Sequence, residues 1–165
     1  MTTTRQMKTE RSTGTGREAH EDIDVIFPVA GTSRSIGMVS KLEETSAVAD
    51  FTDGGAALGT IQMTGSIPAG AVVFGAKITE IVGFAGDTTA VATIGDGTDV
   101  DRYNTGTINV FATAAAGVNA GLPSGTTLLT AANQPTIGVT GGSDFTAIVS
   151  NGNGSMKVTI YYVEA

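Results

Sequence analysis

A chain of 165 residues is long enough for one core, and a second would leave each half too small to be stable. Gly accounts for 23 residues, about twice the usual share of ~7%, while Pro is only 4 and 41% are apolar, which excludes a disordered linker and indicates a folded chain rich in tight turns. Cysteine is absent, so disulfides and thiolate metal sites are excluded, and the net charge of −7 lies wholly in residues 23–165 (5 basic, 12 acidic), which repels nucleic acid.

Residues 1–22 read as an extended polar N-terminal arm, because Met1, Met7 and Ala19 are its only apolar side chains and so little surface cannot fold alone. Arg5, Lys8, Arg11 and Arg17 balance four acids there, and with His20 they are the candidate partner-binding residues. No apolar stretch follows Met1, so synthesis and assembly in the cytoplasm are expected, and no apolar run exceeds four residues, which speaks against a membrane partner. Fully extended, 22 residues reach about 70 Å. A body of about 140 residues is only about 40 Å across, so the arm can outreach its own domain.

Residues 23–165 read as one β-domain, since Val, Ile and Thr are abundant and good helix formers are scarce. Short apolar runs between Gly, Asp, Asn and Pro predict strands at Ile23–Val29, Arg34–Ser40, Thr45–Phe51, Leu58–Met63, Thr88–Ile94, Thr107–Phe111, Thr126–Thr130 and Thr136–Thr140. Met38–Asp53 has no Gly or Pro and also fits a helix through Met38, Leu42 and Ala49, but the β-branched and aromatic residues after Thr45 favour strand. A long strand is expected from Ala71 to Phe84, with Val72, Phe74, Ala76, Ile78, Val82 and Phe84 inward and Glu80 marking a bulge or an edge. At the C-terminus, Met156, Val158, Ile160 and Tyr162 alternate with Ser155, Lys157, Thr159 and Tyr161, and Phe145, Ala147 and Val149 alternate just before Asn151-Gly152-Asn153-Gly154. This predicts a hairpin of Phe145–Ser150 with Ser155–Val163 and with Val158 and Ile160 buried. About ten short strands without long helices predict an all-β antiparallel sandwich or barrel.

Catalytic chemistry is hard to place. His20 is the only histidine and lies in the arm, so a nucleophile has no neighbouring base. Glu43 and Glu44 are adjacent and point to opposite faces of a strand, and no Trp is present to stack a sugar. The Gly54-Gly55 and Gly141-Gly142 pairs lack the Lys-Ser/Thr of a phosphate loop. The expectation is a protein that is not an enzyme and carries no cofactor. Asp96, Asp99 and Asp101 could ligate calcium, but the EF-hand ligand order and closing Glu are missing. The reading adopted is a turn in which Asp side chains accept backbone N–H bonds and Arg102 pairs with one acid.

Three segments, Thr52-Asp53-Gly54-Gly55-Ala56-Ala57-Leu58-Gly59-Thr60, Ile67-Pro68-Ala69-Gly70-Ala71-Val72-Val73 and Ile94–Tyr103, together resemble the jelly-roll decoration (cement) proteins of tailed-bacteriophage capsids over roughly residues 36–163. The resemblance implies a jelly roll, often a homotrimer, on the virion exterior, clamping neighbouring major capsid proteins. It brings no catalytic residues. The alternatives are a receptor- or carbohydrate-binding head of a tail fibre or baseplate, which needs exposed stacked aromatics, and a neck or tail component.

Overall fold

The alternation of Met156, Val158, Ile160 and Tyr162 builds the central strand of the molecule. In a computed structural model, which describes residues 39–123 and 128–164, nine strands and one helix form a single unit within Gly37–Ala165. The strands are β1 (Val39–Ala47), β2 (Thr52–Asp53), β3 (Leu58–Gln62), β4 (Val72–Val82), β5 (Ala90–Gly95), β6 (Ile108–Asn109), β7 (Val118–Asn119), β8 (Thr136–Gly141) and β9 (Ser155–Val163), with α1 (Phe145–Asn151) before the last. All pairings are antiparallel. One sheet has the order β1-β9-β4-β7 and the other β2-β3-β8-β5-β6. With β2 taken as a short extension beside β3, the first strand lies next to the last, the second next to the next-to-last, and the chain passes between two four-stranded sheets. That is the eight-stranded jelly roll of the all-β class. The expected strands at 23–29 and most of 34–40, like the arm and its boundary at residue 22, lie outside the described residues.

The expected C-terminal hairpin is not formed. Phe145–Asn151 is an α-helix, capped by Asp144, whose Oδ1 accepts the Thr146 N–H at 2.9 Å, and closed by Gly152 at φ 69°, whose N–H donates to the Val149 carbonyl at 2.9 Å. Phe145 and Ile148 are buried three residues apart, the helical period, while Val149 is partly exposed. β9 pairs instead with β1 and β4, and Val158 and Ile160 are fully buried as expected.

Over Met38–Asp53 the strand reading holds from Val39 to Ala47 without the gap expected at 41–44. Val48–Asp50 then forms a 3-10 turn, held by the Ala47 N–H donating to Asp50 Oδ2 at 2.7 Å. In β4 the expected inner face is only partly right. Ala76, Ile78 and Phe84 are buried, but Val72, Phe74 and Val82 are exposed, and Val73 and Ile81 take their places inside. Two register shifts against β9, at Val73/Gly75 and Thr79/Val82, each add a residue and reverse the alternation. Glu80, with φ 54°, sits in the second.

The core runs between the sheets and ends in a cluster of three aromatic rings. Phe51 lies 5.8 Å from Phe84 and 5.9 Å from Phe145, centre to centre. Asp87 ties the loops at this end together, accepting N–H bonds from Thr88 (2.6 Å), Ser143 (2.7 Å) and Asp144 (3.3 Å). Those bonds, led by that of Ser143, lower its carboxyl from the ordinary 3.8 to about 2. A depressed carboxyl stabilises the fold above its unfolded value and loses that contribution as the pH falls towards the folded one. Urea titrations should therefore show stability dropping from about pH 4 to pH 2, with a smaller drop in Asp87→Ala.

Candidate interaction surface

On the outer face of the β1-β9-β4-β7 sheet, the register sets side chains in rows: Val39, Val163 and Val72; then Lys41 and Tyr161; then Glu43, Thr159 and Lys77; then Thr45, Lys157 and Thr79. The first bulge of β4 is what completes this face. Phe74 is the extra residue, so it turns outward and stacks on Tyr161, with ring centres 6.2 Å apart and planes at 28°. Lys77 Nζ lies 5.8 Å from the Tyr161 ring centre, a cation–π contact.

These side chains border a groove of about 490 Å³, closed on its far side by Gly117, Val118 and Leu122. Phe74 is 42% exposed and Leu122 70%. Gly117 lets the chain before β7 come this close, because its φ is 81° and a Cβ there would lie 2.4 Å from the Ile78 carbonyl oxygen. Val39, Val72 and Leu128 continue the apolar surface. An exposed apolar patch with aromatic anchors and a charged rim is the usual form of a contact surface.

Charge is sorted onto this face. Of the four basic side chains among the described residues, Lys41, Lys77 and Lys157 lie here, and Glu43 is the acid on these rows. Lys41 Nζ is 2.7 Å and Lys157 Nζ 3.5 Å from the Glu43 carboxylate, which also accepts from Thr159 Oγ1 at 3.2 Å. The Lys41 hydrogen bond chiefly holds the Glu43 carboxyl below its usual range and the Lys41 ammonium above its own. Two lysines remain in excess on a chain of net charge −7. The opposite outer face differs in kind. Rows Leu58–Thr140–Val91, Thr60–Gly138–Thr93 and Gln62–Thr136–Gly95 carry no charge and border a trough of about 180 Å³.

The acidic loop is held by its own polar groups. Asp96 Oδ1 accepts the Thr98 and Asp99 N–H groups at 2.8 Å each, and Oδ2 accepts from Arg102 Nη1. Desolvation opposes ionisation of Asp96, but the N–H groups of Asp99 and Thr98 and then Arg102 outweigh it and lower the carboxyl. A hydrogen bond to the Asp99 carboxyl raises Asp101. Among the described residues, no group of three or more acidic or histidine side chains is arranged to hold a metal ion. Arg5, Lys8, Arg11, Arg17 and His20 lie outside the described residues.

Of the three tyrosines, Tyr103 is buried, with its hydroxyl donating to Asn133 Oδ1 at 2.9 Å, and burial pushes it up to about 12. Tyr162 is also buried, and Tyr161 alone stands on the outer face. The sequence reading missed the Phe74–Tyr161–Lys77 group because it placed Phe74 inside. Lys77 was the available signal: it falls between the core residues Ala76 and Ile78, so it must point outward.

No protein-family model matches the sequence, and no curated protein matches it. A chain of the cyanophage Pam1 capsid asymmetric unit shares the fold, with a TM-score of 0.51 and 18% sequence identity over 84% of this chain and 94% of that chain. At that identity the likeness is one of architecture alone.

Proposed function

We propose that this chain is a structural virion protein that decorates and stabilises the outer surface of a phage capsid. The observation that carries the reading is the fold shared with a phage-capsid chain over most of both chains. On this reading the protein is not an enzyme, and its partner is the major capsid protein. The Phe74–Tyr161–Lys77 face docks on an apolar patch with an acidic rim. The arm, through Arg5, Lys8, Arg11, Arg17 and His20, reaches a neighbouring subunit. The decorating unit is a homotrimer, as the resemblance implies.

The test is binding to purified capsid shells lacking the protein. Tyr161→Ala is expected to weaken attachment by about 2 kcal/mol, roughly thirtyfold, as an aromatic anchor does. Deleting residues 2–22 is expected to leave the β-type circular dichroism unchanged while attachment falls sharply. Full retention by both variants would exclude the decorating role.

One observation favours a second reading, a carbohydrate-binding head of a tail fibre or baseplate. The exposed Phe74–Tyr161 stack is the aromatic platform such a site requires. Saturable quenching of tyrosine fluorescence by a glycan, abolished in Phe74→Ala, with no binding to shells, would support it in place of the first.

A further inference from the structure

The strand β1 forms the edge of its sheet. All nine of its residues pair with β9 on one side, and no strand among the described residues lies on the other. The inner side of this edge is closed by side chains. Glu44 Oε2 accepts the Thr64 N–H at 2.8 Å, and Leu42 packs over Gly65, so these inward side chains are engaged, while no strand among the described residues pairs with the outer row of backbone donors and acceptors. A long open edge is a template for a further strand.

The side chains along it indicate which strand fits. Lys41, Glu43 and Thr45 point outward, and Ser40, Leu42 and Glu44 inward. Lys41-Leu42-Glu43 thus has opposite charges placed evenly about Leu42 on one face. We infer that β1 pairs antiparallel with β1 of a second copy about a two-fold axis at Leu42, with each Lys41 opposite the other copy's Glu43.

Register follows from elimination. A sheet that continues across two copies must keep outward residues opposite outward residues, so the axis passes through a residue and not between two. Moved to Lys41 it sets lysine against lysine, and moved to Glu43 it sets glutamate against glutamate. Centred on Leu42, the overlap runs from Val39 to Thr45, with Val39 opposite Thr45, Ser40 opposite Glu44, and two ion pairs of the directly opposed kind that stabilises antiparallel sheets. The product is a continuous eight-stranded sheet whose two outer faces, each with its Phe74–Tyr161 stack, become one surface. An isologous contact closes on two copies, so it is separate from any three-fold association. It does not depend on where the protein resides.

The full chain has no cysteine, which makes the test direct. Lys41→Cys and Glu43→Cys, both at exposed positions, should form a disulfide-linked heterodimer when mixed and oxidised. Each variant alone should cross-link far more slowly, because like residues are then diagonal and beyond disulfide reach. By sedimentation equilibrium, Lys41→Glu should raise the dimer dissociation constant about tenfold, and Lys41→Glu with Glu43→Lys should restore it. Three outcomes would overturn the inference: a full chain that is monomeric into the high micromolar range, a dimer that appears only once residues 2–38 are removed, or cross-linking as fast in Lys41→Cys alone as in the mixture. Loss of shell binding with an intact dimer would count against the decorating role and leave this contact standing.

Discussion

Val158→Asp is expected to leave the chain largely unfolded at neutral pH. Val158 is fully buried in β9, between Glu44 of β1 and Ile78 of β4 in register, and its side chain points into the core. An unpaired carboxylate there costs several kcal/mol, against a total stability of about 5–15 kcal/mol for a domain of this kind. The variant should melt tens of degrees lower by circular dichroism. Part of the loss should return near pH 4–5, where the buried carboxyl is protonated. Lys157→Thr, one residue away and facing outward, should change stability by no more than about 1 kcal/mol. Equal melting of Val158→Asp and the parent would reverse the assignment of the faces of β9.

The second large effect is expected at Gly59. A Cβ at this position of β3 would lie 2.2 Å from Cε1 of Phe145, whose ring is fully buried and packed against Phe51. The ring cannot withdraw without disturbing the whole aromatic cluster, so Gly59→Ala should cost about 1–3 kcal/mol, and Gly59→Val more. Phe145→Leu alone also destabilises, by removing ring contacts. Combined with Gly59→Ala it should cost less than the two single changes added together, since the smaller side chain makes room for the methyl. Strict additivity in urea denaturation would mean that the two residues do not compete for the same space.

Much of the architecture was legible in residues whose environment is uniform along a strand. β9 alternates cleanly because it is central and one face of it is always core, and β3, β5 and β8 kept their expected places for the same reason. The sequence failed to show its changes of phase. In β4, apolar residues occupy both faces around each bulge, so Val72, Val73 and Phe74 read equally well inward or outward until the pairing with β9 is known. Phe145, Ala147 and Val149 fall at strand spacing, while Ile148 between them breaks that alternation and fits the helical period with Phe145. The helix's other signals, Asp144 before it and Gly152 after it, are also turn residues. The interaction surface was hidden by the same bulge, since Phe74 reaches Tyr161 only because one residue is extra. No periodicity in the sequence could have announced that pair, although the lysine at position 77 marks the outward face.

The position of β9 sets the order in which this protein can mature. Of the described strands it leaves the ribosome last, yet it is the one that β1 and β4 both require as a neighbour. The Glu43–Thr159 contact joins residues 116 apart, and pairings this distant are slow to form because the loop must close before any contact compensates for it. Until β9 arrives, β1 and β4 lack the neighbour they pair with and the core lacks Met156, Val158, Ile160 and Tyr162, a state prone to wrong association. Folding is therefore expected to complete only once β9 is present, and nascent chains halted before Ser155 should be protease-sensitive along their length. The outer face with its Phe74–Tyr161 stack and the paired β1 strand both take shape only with β9, so a chain that lacks it presents neither.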